Sequence, residues 1–215
     1  GHGAMGRLHA EKLRMRSEIN LTIIDPKFGL PEPNGQPDGV IVATPAKTHA
    51  EIALKHLSSE RYCLIEKPLS HEMQTARIMA SQKTLCMGFV ERFSPVWRDI
   101  PSFYPRFVQA ERIGPFSGRG TDVDVILDMM IHDIDHCLRL MGEMPTEIRA
   151  IGIAARTNNP DMVNARLAFS NGRVAQLSAS RVSQKAKRQL RLFSVSLNII
   201  IAADFTDLLP QRLIF

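Results

Sequence analysis

Between Asp124 and Met141 the chain gathers groups that can move a proton. Asp128, His132 and His136 are spaced four apart, and Asp135 and Arg139 share their stripe if the segment is helical. Apolar residues at 126, 127, 130, 131, 134, 137, 138 and 141 supply a core-facing stripe. A histidine that titrates near neutrality, oriented by a carboxylate one turn away, suits general acid–base catalysis. Histidine and aspartate at this spacing can also chelate a divalent ion. The His132-Asp133 pair would fit a metal-dependent phosphohydrolase, but such a protein should be nearly all helix. A solvated helix face and a non-catalytic ligand site complete the alternatives. Asp and His are mediocre helix formers to collect on a merely solvated face.

A second chemistry stands at the start of the chain. Gly1-His2-Gly3-Ala4-Met5-Gly6 is a G-x-G-x-x-G run. The first glycine of such a run permits a tight turn, the second lets backbone approach a pyrophosphate, and the third allows close packing of helix on strand. The following helix offers free N–H groups and a positive dipole end to the phosphates. Asp25 lies 19 residues beyond Gly6, at the spacing of a carboxylate for the ribose hydroxyls. That charge favours NAD over NADP, since it would repel a 2′-phosphate; Lys27 works against the discrimination. Two plainer readings stay open: Gly-Ala-Met is also a remnant of tag removal, and an aspartate before Pro26 also starts turns.

These residues need elements to position them. Arg7–Met15 reads as the helix after the glycines, and the motif implies a strand before Gly1 in a longer parent chain. Asn20–Ile24 is a short apolar strand. Pro26–Gly39 holds four prolines and three glycines and cannot be the helical crossover that two parallel neighbours need. Val40–Ala43, Tyr62–Ile65 and Leu85–Val90 read as strands, with helices over Thr48–Leu57 and Ser70–Ser81 between them. The alternation implies a parallel sheet with helices on its faces. Beyond residue 95 the pattern changes. Strands are expected at Phe107–Arg112, Glu147–Arg156, Met162–Phe169, Arg173–Val182, Gln189–Ser196 and Asn198–Ala203, with one helix over Asp124–Met141. Val163, Ala165, Leu167 and Phe169 alternate with Asn164, Arg166 and Ala168, the period of a half-buried strand. Asn171-Gly172 is a hairpin signal. The expected fold is an α/β Rossmann-type domain over 1–95 and an α+β domain with a large antiparallel sheet over 96–215. One helix covers one face of that sheet, so its other face is expected to pair with another subunit, giving a homodimer or homotetramer.

Composition bounds the function. The chain has 215 residues, 44% hydrophobic and 23% charged, enough to bury a core. Its excess of five basic residues is mild, and 6% aromatics supply few stacking platforms, which argues against nucleic acid. No apolar run approaches the ~20 residues of a membrane span, and the first residues lack the order of a signal peptide. Cys63, Cys86 and Cys137 are odd in number and lack C-x-x-C spacing, which fits a reducing cytoplasm better than a disulfide framework.

In chain order, Gly1-x-Gly3-x-x-Gly6 with Arg7 and His9, Val42-Ala43-Thr44-Pro45 with Thr48-His49, Glu66-Lys67-Pro68, Gly88-Phe89 with Arg92-Phe93 and Pro95, and Asp128-x-x-x-His132 with Asp135 resemble the Gfo/Idh/MocA-type NAD(P)-dependent sugar oxidoreductases. Glu111–Phe116 and Ala179–Ser183 look like a nucleotide-sugar subgroup, similar to UDP-N-acetylglucosamine 3-dehydrogenases. The resemblance implies an enzyme that moves a hydride from a secondary alcohol of a sugar to NAD, with NADP second and no metal. Gly1, Gly3, Ala4, Met5, Gly6 and Asp25 would bind the cofactor from one side. Thr44, Pro45 and His49 would line the nicotinamide, and Glu66 would orient Lys67. Lys67 would bind the cofactor ribose and the reacting hydroxyl. His132 would be the general base, and Asp128 would position the substrate or relay the proton. Arg92, Arg112 and Arg181 would bind substrate. Arg181 opens a basic run with Lys185, Lys187, Arg188 and Arg191 that is either a solvated loop or a diphosphate clamp. A non-catalytic NAD or sugar-nucleotide binder and a dehydrogenase of a free sugar or inositol are the alternatives.

Overall fold

The computed structural model describes residues 1–30, 35–57, 61–98, 100, 103–195, 197–205 and 209–214. The chain divides into two compact units, Gly1–Gly88 and Phe89–Phe215. The division falls a few residues earlier than the change of pattern near residue 95.

The first unit carries helices α1 (Ala4–Arg14), α2 (His49–His56) and α3 (Met73–Ala80) and strands β1 (Gly39–Val42), β2 (Tyr62–Glu66) and β3 (Leu85–Gly88). The strands form one parallel sheet in the order β1-β2-β3, with Val42 opposite Ile65 and Glu66 opposite Gly88. Val42, Ala53, Cys63, Ile65 and Met79 make its core. Strands this short and apolar suit a parallel sheet, whose two faces are both covered. The expected strand Asn20–Ile24 is a correction: these residues join no ladder, and a strand exists only through a neighbour's hydrogen bonds. Asp25 instead bridges to Leu30, and Pro26–Phe28 form a short 3₁₀ turn. Residues 31–34 of the expected proline-rich stretch lie outside the described residues.

In the second unit, β4 (Phe107–Ile113) is followed by a π-helical turn (Ile126–Met130) and α4 (Ile131–Met141). Then come β5 (Glu147–Ile153), β6 (Met162–Ala168), β7 (Val174–Ser180), β8 (Lys187–Ser194), β9 (Ile199–Asp204) and β10 (Leu209–Ile214). Among the described residues these seven strands form one sheet, ordered β10-β9-β8-β4-β7-β6-β5. Every pair is antiparallel except β4 with β7. The alternation seen in the sequence is the alternation of burial: Val163, Ala165 and Leu167 of β6 face inward with Ala175, Leu177 and Ala179 of β7. Asn171 and Gly172 join these strands with φ of 59° and 68°. Positive φ at both central residues is what a tight hairpin requires. The expected single helix over Asp124–Met141 is two kinds of helix. Asp124 Oδ1 accepts from the Leu127 N–H at 2.9 Å, the π turn follows, and α4 runs to Gly142, which ends it at φ 70°. Cys63, Cys86 and Cys137 are free thiols; burial pushes the Cys137 thiol up to about 12.

Candidate functional site

In the first unit the candidate site is built from backbone. Gly3 caps α1 and offers no side chain to it, so the helix begins with open N–H groups. A Cβ on Gly6 would overlap the Gly1 carbonyl, and one on Gly1 would come within 2.6 Å of the Ala43 carbonyl oxygen. A Cβ on Gly3 would meet nothing within 4 Å. Two glycines are therefore required by close approach inside the chain, and the third leaves room for something outside it. Asp25 closes the loop: Oδ2 accepts from the His2 N–H at 2.6 Å and Oδ1 from the Lys27 N–H at 3.0 Å. The His2 N–H is the main reason its carboxyl is held below the usual range. Asp25 thus starts a turn, as its place before Pro26 suggested, and also ties that turn to the glycine loop.

The ends of β1 and β2 come together through His49. This buried ring sets Nδ1 2.6 Å from the Pro68 carbonyl oxygen and Nε2 2.8 Å from that of Thr44. Sequence reasoning placed His49 against the nicotinamide. The structure turns both its ring nitrogens to backbone, so it holds the segments that carry Thr44-Pro45 and Glu66-Lys67-Pro68. Thr48 adds a hydroxyl contact to Thr44 at 2.8 Å. Lys67 is half-buried at the end of β2, and the Lys67–Pro68 peptide is cis. Glu66 was expected to orient Lys67; its Oε1 lies 2.7 Å from His9 Nε2 on α1, which joins helix to strand.

In the second unit the candidate site is built from buried charge. Asp128, His132 and His136 do not share one environment. The Asp128 carboxylate rests on Gly120, where a Cβ would come within 2.6 Å of it. The His132 ring meets the Phe89 ring edge-on at 6.2 Å. His136 is buried, stacked on Phe205 at 5.4 Å and tilted against Trp97 at 4.7 Å. Asp128 belongs to the π turn, and His132 and His136 to the α-helix that follows it. Arg112, inward-facing on β4, uses both edges of its guanidinium. Nε and Nη2 donate to Asp133 at 3.0 and 2.9 Å, and Nη1 and Nη2 to Glu91 at 2.8 and 2.6 Å. His136 Nε2 lies 3.3 Å from the same Glu91 carboxylate. Burial works against the charge on Glu91, but His136 and Arg112 hold its carboxyl far below the usual range. Burial pushes the Asp133 carboxyl up, and Arg112 opposes it.

Two of the three substrate arginines are corrected by this packing. Arg112 is consumed by Asp133 and Glu91. Arg181 is buried too: Nε donates to Asp161 at 2.8 Å, Nη1 to the Gly120 and Val123 carbonyls, and Nη2 to Thr157. Burial acts to raise the Asp161 carboxyl, but the N–H groups of Arg156, Thr157 and Ala155 and the Arg181 guanidinium bring it well below its ordinary value. A guanidinium so engaged has no face left for a diphosphate, and Lys187 of the same basic run pairs with Glu111. Arg92 differs. It forks onto Asp135, lies 4.8 Å over the Phe89 ring, and keeps a side chain 41% exposed. Sequence reasoning missed Glu91 and Asp161, which sit outside any periodic element; the adjacency of Glu91 to Arg92 was the one available signal. Among the described residues no group of three or more His, Cys, Asp and Glu is arranged to hold a metal ion. No helix among them is long and apolar enough to cross a membrane.

Comparison with known proteins agrees with this geometry. Residues 22–84 match an oxidoreductase family with an NAD-binding Rossmann fold, and residues 104–199 match the GFO/IDH/MocA C-terminal domain. The chain is 39% identical over 164 residues to UDP-N-acetylglucosamine 3-dehydrogenase of Acidithiobacillus ferrooxidans, covering 73% of this chain and 52% of that protein. A solved structure of that dehydrogenase superposes with a TM-score of 0.73 at 32% identity, over 97% of this chain and 68% of the other. Scyllo-inositol 2-dehydrogenase (NAD(+)) of Bacillus subtilis is 27% identical, over 68% of this chain and 49% of its own length. The chain spans about half the length of the curated relatives it matches. With a matching domain in each unit, a relative at 39% identity and a solved structure at 32% identity over 97% of the chain, this chain belongs to the GFO/IDH/MocA oxidoreductase family.

Proposed function

We propose that the chain works as an NAD-dependent oxidoreductase that moves a hydride from a secondary alcohol of a sugar to nicotinamide, with a nucleotide sugar such as UDP-N-acetylglucosamine as substrate. The observation that carries this reading is the uncapped start of α1 beside an open Gly3, since free N–H groups and a positive dipole end suit a pyrophosphate. Asp25, tied to the loop and held anionic, supports NAD over NADP. NAD supplies the hydride acceptor when bound. His132 takes the alcohol proton, Lys67 donates a hydrogen bond to the reacting oxygen, and Asp128 positions the substrate, each by its place in the family motif. Arg92, the half-exposed one of the three arginines, is the substrate-binding one. The substrate follows the 39% identical relative. Free inositol is the second reading, favoured by the inositol dehydrogenases among the relatives. Exposed Ile151, Ile153 and Met162 on the outer face of the large sheet support a homodimer or homotetramer.

The test is NADH formation with UDP-N-acetylglucosamine, then with free inositols and hexoses, with His132→Ala run in parallel. Signal with the nucleotide sugar that vanishes in the variant supports the reading. Signal with a free polyol alone keeps the chemistry and replaces the substrate. NAD binding without turnover on any of them points to a non-catalytic binder.

A further inference from the structure

Glu91 has no place in the roles assigned above, yet it sits at the centre of the contacts around α4. Val90–Phe93 form a 3₁₀ turn capped by Phe89, and three of the residues from 89 to 92 reach α4 or its partners. Phe89 meets the ring of His132. Glu91 accepts from Arg112, which in turn holds Asp133, and it also faces His136. Arg92 forks onto Asp135 and lies over the Phe89 ring. Residues 132, 133, 135 and 136, just over one turn of helix, are thereby held by one four-residue segment and one strand arginine. Apolar packing alone lets a helix roll, because one methyl replaces another at little cost. Bidentate charge-assisted bonds fix an angle. Here two of them, at Asp133 and Asp135, lie one and three residues after His132 on its own helix.

We infer that Glu91 is a positioning residue for His132: with Arg112 and His136 it sets the rotation of α4 and so the direction of the His132 ring. The catalytic part of this inference rests on His132 being the general base. Glu91 is the informative member to change, because Glu91→Gln leaves the Arg112–Asp133 pair in place and the helix anchored at one end. Glu91→Asp keeps the charge and shortens the reach.

The experiment is a ¹³C–¹H correlation spectrum of the histidine rings in the full chain, assigned with His132→Ala and His136→Ala, alongside thermal unfolding and steady-state kinetics. In Glu91→Gln the His132 ring signals shift or broaden, although the hydrogen bonds of Glu91 run to Arg112 and His136. The unfolding midpoint stays within a few degrees. The turnover number kcat falls roughly tenfold to a hundredfold, the scale of a group misplaced by about an ångström, while KM for NAD and sugar holds. Glu91→Asp moves the same signals less and restores most of kcat; should Glu91→Gln fail to fold, Glu91→Asp must still move them. Glu91→Gln combined with His132→Ala is no slower than His132→Ala alone, because the two act as one unit. A response confined to His136, or losses that add in the double variant, overturns the inference. Undiminished turnover in His132→Ala would instead remove the base assignment, and the ring signals would still decide whether Glu91 orients His132.

Discussion

The two units hold their candidate groups by different means. In Gly1–Gly88 the arrangement is set by backbone: glycines that touch carbonyls, the cis bond before Pro68, and His49 bonded to two carbonyl oxygens. In Phe89–Phe215 it is set by charged side chains taken out of water: Glu91, Arg112, Asp133 and, further along the sheet, Asp161 with Arg181. A backbone-built loop tolerates almost any side chain at its variable positions but no Cβ at the crowded ones. A charge-built network tolerates backbone variation but not the loss of one partner, because the other charge is then buried alone. Their vulnerabilities should differ accordingly.

The largest effect tests whether the units contribute separable functions. His132→Ala and Lys67→Ala should each cut turnover by about 10²–10⁴-fold, the range for a lost proton-transfer group, while NAD affinity followed by fluorescence stays near that of the parent chain. Loss of NAD binding in His132→Ala would break the comparison. Next, Arg112→Met should strand Glu91 and Asp133 together. Urea unfolding should show a loss of about 3–5 kcal/mol, the cost of breaking a buried pair by removing one partner. A loss below 1 kcal/mol would mean that the network does not hold the unit.

A smaller, sharper contrast lies inside the glycine loop. Gly6→Ala drives a Cβ into the Gly1 carbonyl and should lower the unfolding midpoint and NAD affinity together. Gly3→Ala points into open space and should leave the midpoint alone while weakening NAD binding. Equal effects of the two on stability would show that Gly3 is structural as well. The smallest effect is on pH. Glu91 and Asp161 have folded values far below their ordinary 4.5 and 3.8, so the unfolded chain binds more protons than the folded one in acid. Stability contributed by these groups is present above about pH 4.5 and is lost as pH falls below it. Asp133, raised by burial, acts in the opposite sense and trims the slope. Unfolding midpoints between pH 3 and 7 should fall on the acid side, and Glu91→Gln should flatten that fall.

How far the sequence could be read follows the same division. The loop at Gly1–Gly6, the strand end at Lys67 and the hairpin at Asn171-Gly172 were legible because their residues answer a local backbone demand. The strands of the large sheet were legible because one buried face imposes a period of two. Asn20–Ile24 read as a strand on composition alone and is none, because pairing is a property of the neighbour as much as of the segment. Arg112 read as a substrate ligand and Arg181 as part of a diphosphate clamp because a residue type does not say which carboxylate it will meet. Glu91 went unnoticed because its partners lie 21 and 45 positions away at Arg112 and His136.

By itself the sequence determined what short-range physics decides: turn chemistry, the glycines that admit close backbone approach, the periodicity of strands, and the apolar stripe of the helix over Ile131–Met141. Tertiary structure alone decided which charges are buried and with whom. It turned His49 toward two carbonyls, placed Asp128 on a π turn ahead of the α-helix that carries His132, and enclosed Arg112 between two acids. The reason is that the free energy of a charge depends on desolvation and on a partner brought from elsewhere in the chain, and neither exists until the chain has folded.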